Sequence, residues 1–175
     1  RRDDLTRLRS ILADRTASPL SIEAIASGLA ISKNTVERYV ALFEEVFLVK
    51  RIPAWTNSAT TRATRQRKLM FVDSGICAHL AGLSADRLRR DPARSGSLLE
   101  SFVISEIMRQ LTWSDSFARL HHYRTRDGDE VDAVIEHHDG RVVGIEVKAS
   151  SSVSGDDLRH LRHLRTKTGE LFHLG

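Results

Sequence analysis

Two runs of alternating apolar and polar residues, 130–137 and 141–149, flank the turn tripeptide His138-Asp139-Gly140, and together they constrain this chain more than any other segment. Alternation with period two is the mark of a strand with one buried face, and an Asp-Gly pair between two such runs reads as a hairpin. Val131, Ala133 and Ile135 form one apolar face, and Val143, Ile145 and Val147 the other. These faces coincide only if Val131 opposes Val147, Ala133 opposes Ile145 and Ile135 opposes Val143, since a slip of one residue turns every side chain over. That register requires a three-residue turn with Gly140 in the left-handed region. It also sets Asp132 opposite Glu146 on one face, with Lys148 one pleat further. Facing carboxylates repel unless a cation joins them. Magnesium or manganese fits, because such ions take oxygen ligands from one or two carboxylates and keep water. A neighbouring lysine orients or deprotonates such a water. The alternative is a solvated Glu146-Lys148 pair.

A helix is expected over 97–111, with Leu99, Val103, Ile104, Ile107 and Leu111 on one side and Ser101, Ser105 and Arg109 opposite. Glu100 falls within the apolar arc, so it is either a core-facing acid that needs a partner or metal, or the last member of a Ser97-Leu98-Leu99-Glu100 capping box. Before this helix, 73–83 and 84–90 read as short helices, the second stopped by Asp91-Pro92. A strand is expected over 119–125, ahead of the Asp127-Gly128 turn.

The first 72 residues read differently. Amphipathic helices are expected over 3–15, from Ser21 to about Leu29 with Gly28 near the end, and from Ser32 onward with Val36, Tyr39, Val40 and Phe43 inward. Two of these joined by a Gly-containing turn form a helix-turn-helix. Strands at 47–52 and 68–73 would make the module winged. Lys33, Asn34 and Arg38 are the outward residues that suit DNA contact, although Glu37, Glu44 and Glu45 oppose it near phosphates. The acid-free stretch from Asn57 to Lys68, with Arg62, Arg65, Arg67 and Lys68, is either a wing touching backbone phosphates or a solvated loop.

Charge follows the same division. The 175 residues carry a formal +4, made of thirteen Lys or Arg against seven Asp or Glu in residues 1–72 and fourteen against sixteen in 73–175. No apolar run spans a bilayer, so a cytoplasmic protein without membrane contact is expected. The single Cys77 excludes an internal disulfide and reads as a small buried hydrophobe. His160 and His163, one helical turn apart, lack an evident third metal ligand and read as solvated, while Trp55 and Trp113 read as packing residues. A start at Arg1 rather than Met suggests a piece of a longer protein.

Asp132 followed by Glu146-Val147-Lys148, with Glu100 on a preceding helix, resembles the PD-(D/E)xK nuclease superfamily. The restriction-endonuclease-like core of that superfamily runs helix, three strands, helix, strand. The last two would be the helix of Leu158, Leu161 and Leu164 and the strand 170–174. The wider pattern, FVDSGI (71–76), GSLLESFV (96–103), HYRTRDGDEVDAVI (122–135) and IEVKAS (145–150), resembles the C-terminal region of bacterial and archaeal AAA-type ATPases that carry the domain of unknown function 4143. The resemblance implies an α+β chain, with a winged helix at 1–72, a helical linker at 73–95 and an αβββαβ nuclease-like domain at 96–175. It implies Glu100, Asp132 and Glu146 as ligands of Mg²⁺ or Mn²⁺, Lys148 as the catalytic lysine, and Asp132 and Glu146 as catalytic partners in phosphodiester hydrolysis. DNA and a preceding ATPase domain are the implied partners, and ATP would bind only in that domain, because 1–175 contain no GxxxxGK[ST] loop. Val131 stands where the motif's proline would be. The other readings are a non-cleaving DNA- or protein-interaction module of that ATPase, and a helix-turn-helix regulator.

Overall fold

The computed structural model describes residues 2–58 and 65–175. The chain is mixed α+β and divides into two compact units, Arg1–Arg51 with Lys68–Ser105, and Ile52–Arg67 with Glu106–Gly175. No described helix is long and apolar enough to cross a membrane.

The first unit begins with α1 (Arg2–Asp14), β1 (Ser18–Pro19), α2 (Ile22–Leu29) and α3 (Lys33–Glu45). Ser21 accepts the Ala24 N–H and Ser32 the Thr35 N–H, so each helix starts where a hydroxyl takes an otherwise orphaned amide. Gly28 lies in the last turn of α2, and the turn that follows places Ala30 in the left-handed region at φ 54°. Strands β2 (Val49–Ile52) and β3 (Lys68–Phe71) complete a sheet of order β1-β3-β2, with Ser18 opposite Leu69.

Then come α4 (Ser74–Leu80), α5 (Ala85–Arg90) and α6 (Pro92–Trp113), the last continuing past the unit boundary. Asp73 and Ser84 cap α4 and α5. The core joins Leu8 and Leu12 of α1 to Ile25, Leu29, Val36, Val40, Phe43, Leu69, Phe71 and Cys77. Cys77 is fully buried, as its single occurrence suggested, and burial pushes its thiol up to about 11. The stretch 73–95 is therefore packed structure of the first unit and not a linker, since Cys77, Leu80 and Ala81 all join this core.

Helix α6 differs from expectation at its start and on its buried face. Asp91 Oδ1 accepts the Arg94 N–H, and Pro92 occupies the first turn, where a missing N–H costs nothing. Asp91-Pro92 thus both ends α5 and opens α6. Ser97 lies inside the helix and donates to the Ala93 carbonyl, so no Ser97–Glu100 capping box forms. Ser101 and Ser105, placed on the solvent side by hydrophobic periodicity, are buried instead, while Leu99 and Phe102 are exposed. Their hydroxyls have partners, Ser105 with the Phe71 carbonyl and Ser101 with Thr16 Oγ1, and satisfied small side chains allow close approach to β3.

The second unit is a four-stranded sheet of order β4-β5-β6-β7, built from β4 (Arg119–Arg124), β5 (Glu130–Glu136), β6 (Val142–Ile145) and β7 (Phe172–Leu174). The first three pair antiparallel, and β7 joins β6 in parallel. Helix α7 (Arg159–Thr168) and a short 3₁₀ turn precede β7. The element order helix, three strands, helix, strand is the one expected from the sequence. Residues 53–55 run beside β4: the His122 N–H donates to the Pro53 carbonyl and the Trp55 N–H to the His122 carbonyl. Trp55, Tyr123, Val131, Val134, Val142, Leu161 and Leu164 form the core of this unit.

The hairpin has the register derived from the alternation, with Ala133 opposite Ile145 and Ile135 opposite Val143. His137 and Arg141 close a three-residue turn in which Gly140 has φ 89°. Strand β6 ends at Ile145, short of the expected 149, and residues 146–148 continue without ladder pairing.

Gly144 is where β6 meets α7. A Cβ there would lie 2.7 Å from Leu161 Cδ2 and 3.2 Å from Leu164 Cδ2. Gly144→Val is expected to destabilise the second unit by about 1–3 kcal/mol, the usual cost of overpacking a filled core. An unchanged thermal midpoint would contradict this packing of α7 on the sheet.

Candidate active site

Three of the four residues singled out as a catalytic group lie together in the second unit. Asp132 sits on β5, where residues 131–134 are buried on both faces of the sheet, and has 9% relative exposure. Its Oδ2 accepts the Val147 N–H at 2.8 Å, so the carboxylate holds the chain just after it leaves β6. Glu146, in that segment, is half-buried, and its Oε1 accepts from Lys148 Nζ at 2.8 Å. Its Oε2 is buried and, among the described residues, has no hydrogen-bond partner.

The electrostatics follow from this placement. Burial pushes the Glu146 carboxyl above its ordinary range, and the neighbouring Asp132 charge adds to this, against the Lys148 hydrogen bond. Lys148 is raised chiefly by its bond to Glu146, with help from the charges of Asp132 and Asp157. The group is thus two crowded acids and one cation, and a buried carboxylate oxygen without a partner is a position that asks for one. A divalent cation fits that donor set: Asp132 and Glu146 are hard oxygen donors, and magnesium is commonly held by only one or two carboxylates. Among the described residues, no three His, Cys, Asp or Glu side chains form a ready-made cage for a metal.

Glu100 belongs to the first unit, where it accepts from Lys68 Nζ at 2.6 Å. Lys68 is fully buried, and Glu100 retains 15% side-chain exposure. Lys68 therefore opens β3 as half of an interior ion pair and does not sit on an exposed wing loop.

The other proposed DNA-contacting residues divide between the units. Lys33, Asn34 and Arg38 are exposed on α3, where Lys33 bonds Glu23 at 2.9 Å and the Arg38 guanidinium lies 6.0 Å from the Tyr39 ring centre. Two of the three opposing acids are engaged by Arg51, which bonds Glu37 at 3.0 Å and Glu44 at 2.5 Å. Arg67 is exposed, and Arg65, half-buried, donates to the Arg124 carbonyl in the second unit. Arg62 lies outside the described residues.

Sequence spacing missed the partner of the histidine pair. Asp129, at the end of the β4–β5 turn, has Oδ1 3.1 Å from His160 Nδ1 and Oδ2 3.3 Å from His163 Nδ1. The His160 hydrogen bond in particular holds the Asp129 carboxyl below its usual range. Asp129 and the two histidines are three decades apart in the chain, so only the acid's place just before the Glu130 strand hinted at it. His160 and His163 are thus anchored, half-buried groups.

Residues 95–174 match a family model described as a domain of unknown function (DUF4143), and residues 1–87 match a second domain of unknown function (DUF8612). An uncharacterized protein of Mycobacterium tuberculosis and one of Mycobacterium bovis are each 27% identical over 152 residues, covering 86% of this chain and 33% of theirs. The chain thus spans 33% of the length of these curated relatives. No solved structure matches the chain.

Proposed function

We propose that the second unit is a metal-dependent phosphodiesterase of the PD-(D/E)xK type acting on DNA, joined to a winged-helix module and forming part of a longer ATPase. The observation that carries this reading is the group at the end of the hairpin, where Asp132 Oδ2 accepts the Val147 N–H and the adjacent Glu146 accepts from Lys148 Nζ. The α1-β1-α2-α3-β2-β3 order of the first unit supports the winged-helix part. The match of residues 95–174 to the domain of unknown function supports the kinship behind the ATPase part.

Asp132 and Glu146 would hold Mg²⁺ or Mn²⁺, whose chemistry is to lower the pKa of bound water and to offset charge on a phosphate. Asp132 also fixes the backbone at Val147, which keeps Glu146 and Lys148 in place. Lys148 Nζ carries a proton between two carboxylates, and when it turns from Glu146 toward a phosphate it offsets the negative charge that grows in the transition state. Its length and partial exposure allow that turn.

Lys148→Ala is expected to reduce cleavage of DNA in Mg²⁺ by about 10²-fold, the scale of one lost electrostatic or acid–base group. Retention of the DNA should be unchanged. Equal cleavage rates for the variant and the parent chain would remove Lys148 from the mechanism.

A further inference from the structure

A second concave feature of the second unit shares no lining residue with the carboxylate group. It is a cleft of about 450 Å³, within the range of about 300–1,000 Å³ usual for small-ligand sites. Its floor is aromatic: Trp55 and Tyr123 are buried with ring centres 6.2 Å apart and planes inclined at 55°. Arg65, Arg126, His163 and Lys167 also line it, and Asp127 is the one acidic residue that does so. Three permanent cations against one carboxylate make the rim a place for an anion.

His163 also lines the cleft. Its Nδ1 faces Asp129, and among the described residues its buried Nε2 has no hydrogen-bond partner. The Trp55 indole N–H is already given to Glu136 Oε1 at 3.2 Å, which fixes the ring and leaves its contribution to the cleft apolar.

A basic rim over an aromatic floor is the combination that binds unpaired nucleotides, through phosphate charge and base contact together. A duplex offers phosphates but keeps its bases stacked inside. We propose that this cleft binds one nucleotide of an unpaired DNA strand, its phosphate against Arg126 and Lys167 and its base on the Trp55–Tyr123 floor. The choice of a strand as the occupant rests on the nuclease reading of this unit. A free nucleotide shares the same chemistry, and the test separates the two.

The chain contains two tryptophans, and Trp113 is exposed, so a Trp113→Phe background leaves Trp55 as the only indole reporter. This chain is titrated with an eight-residue oligothymidylate, a duplex of equal length and thymidine 5′-monophosphate, all without divalent metal so that no cleavage intervenes. The oligothymidylate is expected to change Trp55 fluorescence and to bind at least about tenfold more tightly than either alternative. In Arg126→Ala/Lys167→Ala, where both replaced side chains are exposed, affinity should fall at least about tenfold, and the salt dependence should flatten by about 0.7 per lost phosphate contact. Far-UV circular dichroism checks that this variant remains folded.

Unchanged affinity in the folded double variant would overturn the proposal, as would no Trp55 response to the strand. Thymidine monophosphate binding as tightly as the strand would assign the cleft to a free nucleotide and overturn the strand as occupant. An Asp132→Ala chain that still gives the Trp55 response but does not cleave leaves both readings standing. A Trp55 response in a chain that never cleaves with Mg²⁺ or Mn²⁺ supports the cleft and removes the nuclease.

Discussion

Glu100→Ala is expected to lower the stability of the first unit by about 3 kcal/mol, because it removes the carboxylate that the interior Lys68 ammonium bonds. Removing one partner of a buried pair costs about 3–5 kcal/mol, and the low end applies here since Glu100 keeps 15% exposure. The effect should appear in urea unfolding as a lower midpoint with an unchanged slope, since the surface exposed on unfolding is the same. Replacing both residues with apolar ones of similar size, Lys68→Met with Glu100→Leu, should recover most of the loss, because no charge is then left buried. The alternative is that Glu100 serves only as a metal ligand, as the nuclease resemblance implies. In that case Glu100→Ala would abolish cleavage and leave the unfolding midpoint where it was. A wild-type midpoint for Glu100→Ala would contradict the structural role given to the pair.

What could be read in advance, and what could not, follows from how each feature is encoded. The hairpin's turn and its register over 133–145 were legible, because period-two alternation admits one register and Gly140 one turn, and both are present. The helix caps at Ser21 and Ser32 were legible for a similar reason, since each is a local device within a few residues. The buried face of α6 was not. Hydrophobic periodicity assigns Ser101 and Ser105 to solvent, whereas their burial depends on acceptors at Phe71 and Thr16, far away in the chain. Lys68 misled in the same way: a lysine after Arg65 and Arg67 reads as part of a basic loop, and its partner Glu100 is 32 residues distant.

Asp91-Pro92 was ambiguous because one dipeptide stops a helix and starts the next. Within the candidate site, the Asp132–Glu146–Lys148 group followed from the register, but the unpartnered Glu146 oxygen did not, since it depends on how the chain leaves β6 at Ile145. The cleft was not legible as a unit. Its residues come from separated places, 55–57, 65, 123–127, 163 and 167, and neither the basic stretch holding Arg65 nor the 122–135 pattern indicates that they meet.

The reading of the second unit stands or falls on whether Asp132 supports phosphodiester cleavage. The direct measurement is the rate at which the chain degrades single-stranded and duplex DNA in Mg²⁺ or Mn²⁺, beside Asp132→Ala prepared identically. Asp132 supplies one of the two carboxylates of the group and also anchors the Val147 amide that holds Glu146 and Lys148. Its loss should therefore reduce cleavage at least about 10³-fold, more than loss of Lys148 alone, while chelation of the metal should stop the parent reaction altogether. Equal cleavage by the parent chain and a folded Asp132→Ala variant would contradict the assignment.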